Sequence, residues 1–256
     1  MHNVVIAGNI DIAMLALWAF FIFFIALVIY LHRESYREGY PLEDPVSGRY
    51  SDANSLFPLP DPKTFNLPNG GGSVTVPQPN RREPVEIAAK RMDRSPGSPY
   101  VPTGNPLIDG VGPAAWAERA KVPDVDLHGA PRIAPLASTD LWLESRDPDP
   151  RGMTVTGADG AVAGTVSEVW VDRMERMVRY LAIDTGKRTV IAPMTVAVIH
   201  RATKTVEISA ILASQFADAP KIAKADVITL YEEERVQAYF GGGYLYATPE
   251  RQESCI

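Results

Sequence analysis

Residues Ile12–Leu31 read IAMLALWAFFIFFIALVIYL, twenty residues without a charge, a proline or a glycine. At about 1.5 Å rise per residue, an α-helix of this length covers roughly 30 Å, the hydrocarbon thickness of a bilayer. A lone span has no neighbour to satisfy its backbone groups in lipid, so it must be helical. Apolar residues occupy every side, and Phe20, Phe21, Phe23 and Phe24 point around the whole circumference, which argues against a core helix of a soluble protein. A cleaved secretory signal would need a basic start and a small-residue cleavage site. Residues 1–11 carry no Lys or Arg, and Leu31 runs straight into His32-Arg33-Glu34. A retained transmembrane anchor is the expectation.

The flanks give a direction. Arg33, Arg37 and Arg49 follow the span and no basic residue precedes it, so the positive-inside rule puts the N-terminus in the periplasm and the large domain in the cytoplasm. The polar exit, HRESYREGY over His32–Tyr40, reads as a solvated helix end that Gly39 and Pro41 stop. Arg33 and Arg37 have a sharper reading as contacts to lipid phosphates or to acids on a partner.

Subtracting the span and the short tail from 256 residues leaves about 225, enough for one good core and a substantial irregular segment. The net charge of −6 disfavours a general nucleic-acid binder. The single cysteine, Cys255, excludes a disulfide framework and a cysteine-based metal site within one chain.

Between Pro41 and Pro113 lie fourteen of the 22 prolines and eight glycines. Proline removes backbone donors and resists helix and central strand. A disordered linker is the bland reading. Leu56, Phe57, Leu59, Phe65, Leu67, Val74, Val76, Tyr100, Leu107, Ile108 and Trp116 argue instead for an extended coat laid on another surface. Asn69-Gly70-Gly71-Gly72 predicts a hairpin tip joining Thr64–Leu67 to Ser73–Val76.

From about Ile133 the pattern becomes that of short strands: Val162–Asp172, Val178–Asp184, Thr189–Ala192, Val196–His200 and Val206–Ile208. Turn spacing predicts a small antiparallel barrel or sandwich. A short helix is expected over Ala210–Phe216 and another strand over Val227–Leu230. Glu232-Glu233-Glu234 opens a final helix through Tyr239, its acids complementing the helix dipole. Gly241-Gly242-Gly243 is expected to end it.

Signatures of nucleotide binding, zinc hydrolysis and serine hydrolysis are missing from the chain. None of the four histidines, His2, His32, His128 and His200, lies inside the apolar run. Two titratable sets remain. In an extended segment Asp124, Asp126 and His128 would share one face and form a proton-collecting patch, because acids raise a nearby imidazole's pKa. The alternative is a solvated loop. Asp172 and Glu175, in Asp172-Arg173-Met174-Glu175-Arg176, lie between two strands. That is a surface turn, unless burial tunes one carboxyl for proton transfer.

Several short motifs in fixed order carry a resemblance. They are Arg37-Glu38-Gly39-Tyr40-Pro41-Leu42-Glu43, Pro62-Lys63-Thr64-Phe65 with Leu67-Pro68, and Pro102-Thr103-Gly104-Asn105-Pro106. Val111-Gly112-Pro113-Ala114-Ala115, Trp170-Val171-Asp172 and Arg179-Tyr180-Leu181 follow, then Tyr231-Glu232-Glu233 and Gly242-Gly243-Tyr244-Leu245-Tyr246-Ala247. Nearly end to end, the chain resembles the H subunit of the purple-bacterial photosynthetic reaction centre. The resemblance implies one N-terminal transmembrane α-helix, an extended Pro-rich segment, a mainly-β cytoplasmic domain of the PRC-barrel type and a short C-terminal helix. The corresponding spans are a periplasmic tail (1–11), the membrane helix (12–32), the surface-covering segment (33–115) and the barrel domain with its helix (116–256).

It also implies a non-enzymatic role in the bacterial inner, intracytoplasmic membrane. The chain would cap the L and M subunits, which hold bacteriochlorophyll, bacteriopheophytin, quinones and a non-haem iron. It would ligate none of these cofactors and no metal. It would stabilise the quinone sites and help pass protons to the secondary quinone. Glu175 falls on the family's inner carboxylate and Asp172 on an acid of the same route. Asp126 and His128 fall on its outer patch, with Asp124 beside them. Ala130 stands where some members have a second histidine. Arg33, Arg37 and Tyr40 are candidate lipid or partner contacts. A light-harvesting antenna ring, a cytochrome subunit and membrane lipids are further candidate partners, and nucleic acid is not. Two other classes compete: a membrane-anchored β-barrel adaptor without a photosynthetic partner, and an anchored hydrolase built on paired carboxylates.

Overall fold

The computed structural model describes residues 5–7, 10–40, 42–43, 50–51, 60–77, 86–95 and 97–252. His2, Pro41, Arg49, Leu56, Phe57, Leu59 and Cys255 lie outside the described residues. The chain divides into two units, Met1–Val85 with Asp93–Ser98, and Glu86–Met92 with Pro99–Ile256.

In the first unit, helix α1 spans Ile12–Ser35 and buries none of its residues. It is long and apolar enough to cross a membrane. Phe20 and Phe24, one turn apart, stack at 6.0 Å. Beyond the helix the chain turns at Tyr36, whose ring meets Tyr40 edge-on at 4.2 Å, and Gly39 takes a left-handed φ of 75°. Strands β1 (Lys63–Asn66) and β2 (Ser73–Val76) form the expected hairpin, in register from Lys63 opposite Val76 to Asn66 opposite Ser73. Asn69 and Gly70 sit at its tip with φ of 54° and 74°, the conformation these residues tolerate best. Arg37 ties the helix end to this hairpin: Nη1 donates to the carbonyls of Asp61 (2.6 Å) and Val76 (3.4 Å).

The second unit opens with a small hairpin of β3 (Ala89–Arg91) and β4 (Tyr100–Pro102), and a helical turn, α2 (Pro106–Asp109), capped by the Asn105 side chain. Its body is a seven-stranded sheet. The strands are β5 (Ile133–Pro135), β6 (Thr154–Thr156), β7 (Val162–Asp172), β8 (Met177–Asp184), β9 (Thr189–Pro193), β10 (Val198–His200) and β11 (Thr205–Glu207). The hydrogen-bonded path runs β9-β8-β7-β6-β11-β10, and β5 pairs with the last residues of β7. Every pair is antiparallel except β6 with β11, which periodicity along single strands could not reveal. Val166 and Val169, on either side of a register shift in β7, join Leu181 and Ile183 of β8 in a core with Val190, Val206, Ile208 and Phe240.

Helix α3 spans Leu230–Tyr246 and lays Val236, Tyr239 and Phe240 on that core. Two expectations fail here. Val227–Leu230 is not a strand: Thr229 is the N-cap, its hydroxyl accepting from the Glu232 N–H (3.2 Å) while Glu232 accepts from the Thr229 N–H (2.8 Å). A β-branched run before a cap mimics a strand pattern. Nor do Gly241-Gly242-Gly243 end the helix. A Cβ on Gly242 would lie 2.5 Å from the Ala114 Cβ, and one on Gly243 would lie 2.3 Å from the Ala210 carbonyl oxygen. These glycines permit close packing inside the helix. The helix expected at Ala210–Phe216 is a 3₁₀ segment shifted to Ala213–Asp218.

Because Thr229 and Glu232 satisfy each other's orphan donors, Thr229→Ala is expected to cost the second unit about 1 kcal/mol. Thermal unfolding of the purified protein would measure it; an unchanged midpoint would deny the cap its role.

Candidate functional site

The hairpin between β7 and β8 turns through Asp172–Arg176, and Arg176 completes the turn at φ 53°. Asp172 holds it closed, its Oδ1 accepting from the N–H groups of Met174 and Glu175, both at 2.9 Å. The side chain is 1% exposed. Arg132, entering beside β5, supplies the counter-charge. Its Nε donates to Asp172 Oδ1 (3.2 Å), and its Nη2 lies 2.9 Å from Asp172 Oδ2 and donates to Glu175 Oε1 at 2.5 Å. Its Nη1 reaches Asp124 Oδ2 at 3.3 Å. From β8, Arg179 Nη2 donates to Glu175 Oε2 (2.5 Å) and stands 3.5 Å from Asp172 Oδ2.

Three carboxylates therefore share two guanidinium groups. Their environments differ. Burial pushes the Asp172 carboxyl up, but the Arg132 hydrogen bond and the N–H groups of Glu175 and Met174 outweigh burial and hold it below the usual carboxylate range. Glu175 and Asp124 are nearly half exposed.

The cluster lines a polar, open cavity of 350 Å³ whose opposite wall is the start of α3. There Tyr180, buried on β8, donates its hydroxyl hydrogen to Glu233 Oε2 at 2.7 Å and accepts from Gln237 Nε2 at 2.9 Å. Burial pushes the Glu233 carboxyl up. The Asp124 and Asp172 charges add to this, against the Tyr180 hydrogen bond and Arg179. Arg119 pairs with Glu234 at 3.3 Å on the cavity rim.

The structure separates the expected outer patch. Asp124, Asp126 and His128 do not share one face of an extended segment, because Asp126 closes a tight turn. Its Oδ1 accepts from the N–H groups of His128 (2.8 Å) and Ala130 (3.0 Å). Those bonds, the Ala130 one foremost, hold the Asp126 carboxyl below its ordinary range. The turn sends Asp124 to the cavity and leaves His128 exposed outside. In the first unit, Arg37 is engaged by Glu34 through Nε (2.8 Å) and Nη2 (2.9 Å), whereas Arg33 is half exposed, 3.7 Å from Asp61.

Arg132, Arg179, Tyr180, Glu233 and Gln237 were not expected as site residues. Arg132 meets Asp172 across 40 positions of sequence, a separation with no local signal. Glu233 looked like one acid of a helix's first turn. Among the described residues no group of three His, Cys, Asp or Glu side chains is placed to hold a metal ion.

Residues 4–138 match the family model described as photosynthetic reaction centre, H-chain N-terminal region, and residues 144–214 match the PRC-barrel domain. The first match alone takes in more than half of the chain.

Proposed function

Since the chain belongs to the photosynthetic reaction-centre H-chain family, we propose that it caps the cytoplasmic face of the L and M subunits and passes protons towards their secondary quinone. The family implies a complex whose cofactors lie in other subunits, and association with L and M. The observation that carries the proton-conducting role is the cavity, which joins Asp124 on the outer loop to Glu175 at the hairpin. A quinone that takes two electrons in a low-dielectric site without protons builds up charge at high electrostatic cost, so proton supply must accompany reduction.

Roles divide along the geometry. His128, exposed, and Asp126 beside it collect protons at the surface. Asp124 relays them into the cavity. Asp172, held ionised, fixes the hairpin and supplies negative potential. Glu175, half exposed between Arg132 and Arg179, is the last carboxylate of this chain. Arg33, half exposed beside Asp61, is the arm for a lipid headgroup, while Arg37 stiffens the membrane exit and Tyr40 braces Tyr36. Phe65, Leu67 and Val74 on the first hairpin remain exposed, as surfaces laid on partner subunits would be.

Gentle purification through this chain tests the assembly. A pigmented complex with two larger membrane chains, and a domain protected from protease in sealed spheroplasts, are expected. A colourless monomer would favour the adaptor reading, and digestion from outside would put the domain on the wrong side of the membrane.

A further inference from the structure

The geometry points to Glu233 as a proton-holding residue of the cavity, with Tyr180 and Gln237 forming a reversible hydrogen-bond chain that accommodates both of its protonation states. This rests on the proton-conducting reading above and adds a site to it.

The chain runs from Gln237 Nε2 to the Tyr180 oxygen (2.9 Å), and from the Tyr180 hydroxyl to Glu233 Oε2 (2.7 Å). In this direction it serves an ionised Glu233, which only accepts. With the proton on Oε2, the Glu233 O–H becomes a donor towards Tyr180 and the direction reverses. Glu233 then donates to the Tyr180 oxygen, and the Tyr180 hydroxyl must donate elsewhere. Half a turn of the Gln237 amide presents Oε1 to receive it. An amide can do this because it carries both a donor and an acceptor at one end. A buried polar group costs free energy when unpaired, so a chain satisfied in both states lowers the penalty for changing state.

The surroundings set the balance. Tyr180 is 1% exposed and its own hydroxyl is pushed up by burial and by Glu233, so it stays protonated and relays orientation rather than charge. Asp172 and Glu175 face Glu233 from the hairpin and Asp124 from the outer loop, all of which favour the protonated form. Arg179 on β8, Arg132 beside β5 and Arg119 on the rim oppose them, and Glu234 occupies the same wall. Counting every charged group on the lining, five carboxyls face three guanidiniums, so full ionisation would leave an excess of two negative charges. Glu233 is the member with no guanidinium bonded to it among the described residues. Asp124, Asp172 and Glu175 have Arg132, and Glu234 has Arg119. Protonating the carboxyl that lacks a partner halves the excess.

In operation, Glu233 releases one proton to cavity water or to the Glu175 carboxylate and becomes a carboxylate. A proton from the cytoplasm then restores it. No other bond forms or breaks.

The test is the infrared difference spectrum of the intact purified complex between acid and alkaline pH, taken in the dark. Wild type is expected to lose a protonated-carboxyl C=O band at a pH above the usual carboxylate range, and the isosteric Glu233→Gln to lack that band. Tyr180→Phe removes the donor to the ionised form and is expected to move the band's midpoint upward. Flash-induced proton uptake should fall in Glu233→Gln while the complex remains pigmented. An unchanged band and unchanged uptake in Glu233→Gln would overturn the assignment. The dark titration needs no quinone turnover, so it reads Glu233 even if Glu175 proves to be off the proton route.

Discussion

Arg132→Met is expected to destabilise the second unit by about 3 kcal/mol, because it strands the Asp172 carboxylate, 1% exposed, without its main counter-ion. The value sits at the low end for a broken buried pair. Two backbone N–H groups still reach Asp172, and Arg179 remains 3.5 Å away. The pH dependence has a definite sign. The Asp172 pKa is lowered in the folded chain, so its contribution is present above the unfolded carboxylate value and is lost as pH falls through the folded one. The gap between wild type and variant should therefore be full at neutral pH and close in acid. Thermal unfolding at neutral and acid pH would show this, and a gap independent of pH would assign the loss to packing. Arg132→Lys keeps the charge but loses the planar fork that serves Asp124, Asp172 and Glu175 together, and should fall between the two.

Gly243→Val is expected to cost about 3 kcal/mol or more through overpacking in the last turn of α3. Its first carbon would stand 2.3 Å from the Ala210 carbonyl oxygen and 2.4 Å from Ile211 Cγ2. That neighbourhood cannot retreat, since Arg251 Nη1 donates to the carbonyls of both Ala210 and Gly243 at 2.9 Å. Gly241 supplies the control. Nothing lies within 4 Å of its added carbon, so Gly241→Ala should stabilise the helix by about 0.5–1 kcal/mol. Unfolding midpoints that move together in both variants would contradict this account of the three glycines.

Much of this architecture was legible because its signals are local. The apolar run over Ile12–Leu31, the Asn69-Gly70 turn and the alternation of Val162–Asp172 each specify their own element. Features set by tertiary contact were not. Three glycines usually break a helix, and only the nearness of Ala114 to Gly242 and of Ala210 to Gly243 reveals why those two sit inside one. Alternation put Asp124, Asp126 and His128 on one face, but two backbone N–H groups bonded to Asp126 curl the segment. The acids of the site were visible as Asp172 and Glu175. Their arginines were hidden by sequence distance, and Glu233 was hidden by a sufficient local explanation, the helix dipole. Family resemblance reached the two hairpin acids; physical geometry was needed to separate the buried Asp172 from the half-exposed Glu175.

The most direct measurement is the rate of the second electron transfer to the secondary quinone, after two successive flashes, in the intact complex carrying Glu175→Gln. Loss of the carboxylate at the hairpin is expected to slow that step and steepen its dependence on pH, with the first electron transfer retained. A second-flash rate and pH profile indistinguishable from wild type would contradict proton delivery through this chain.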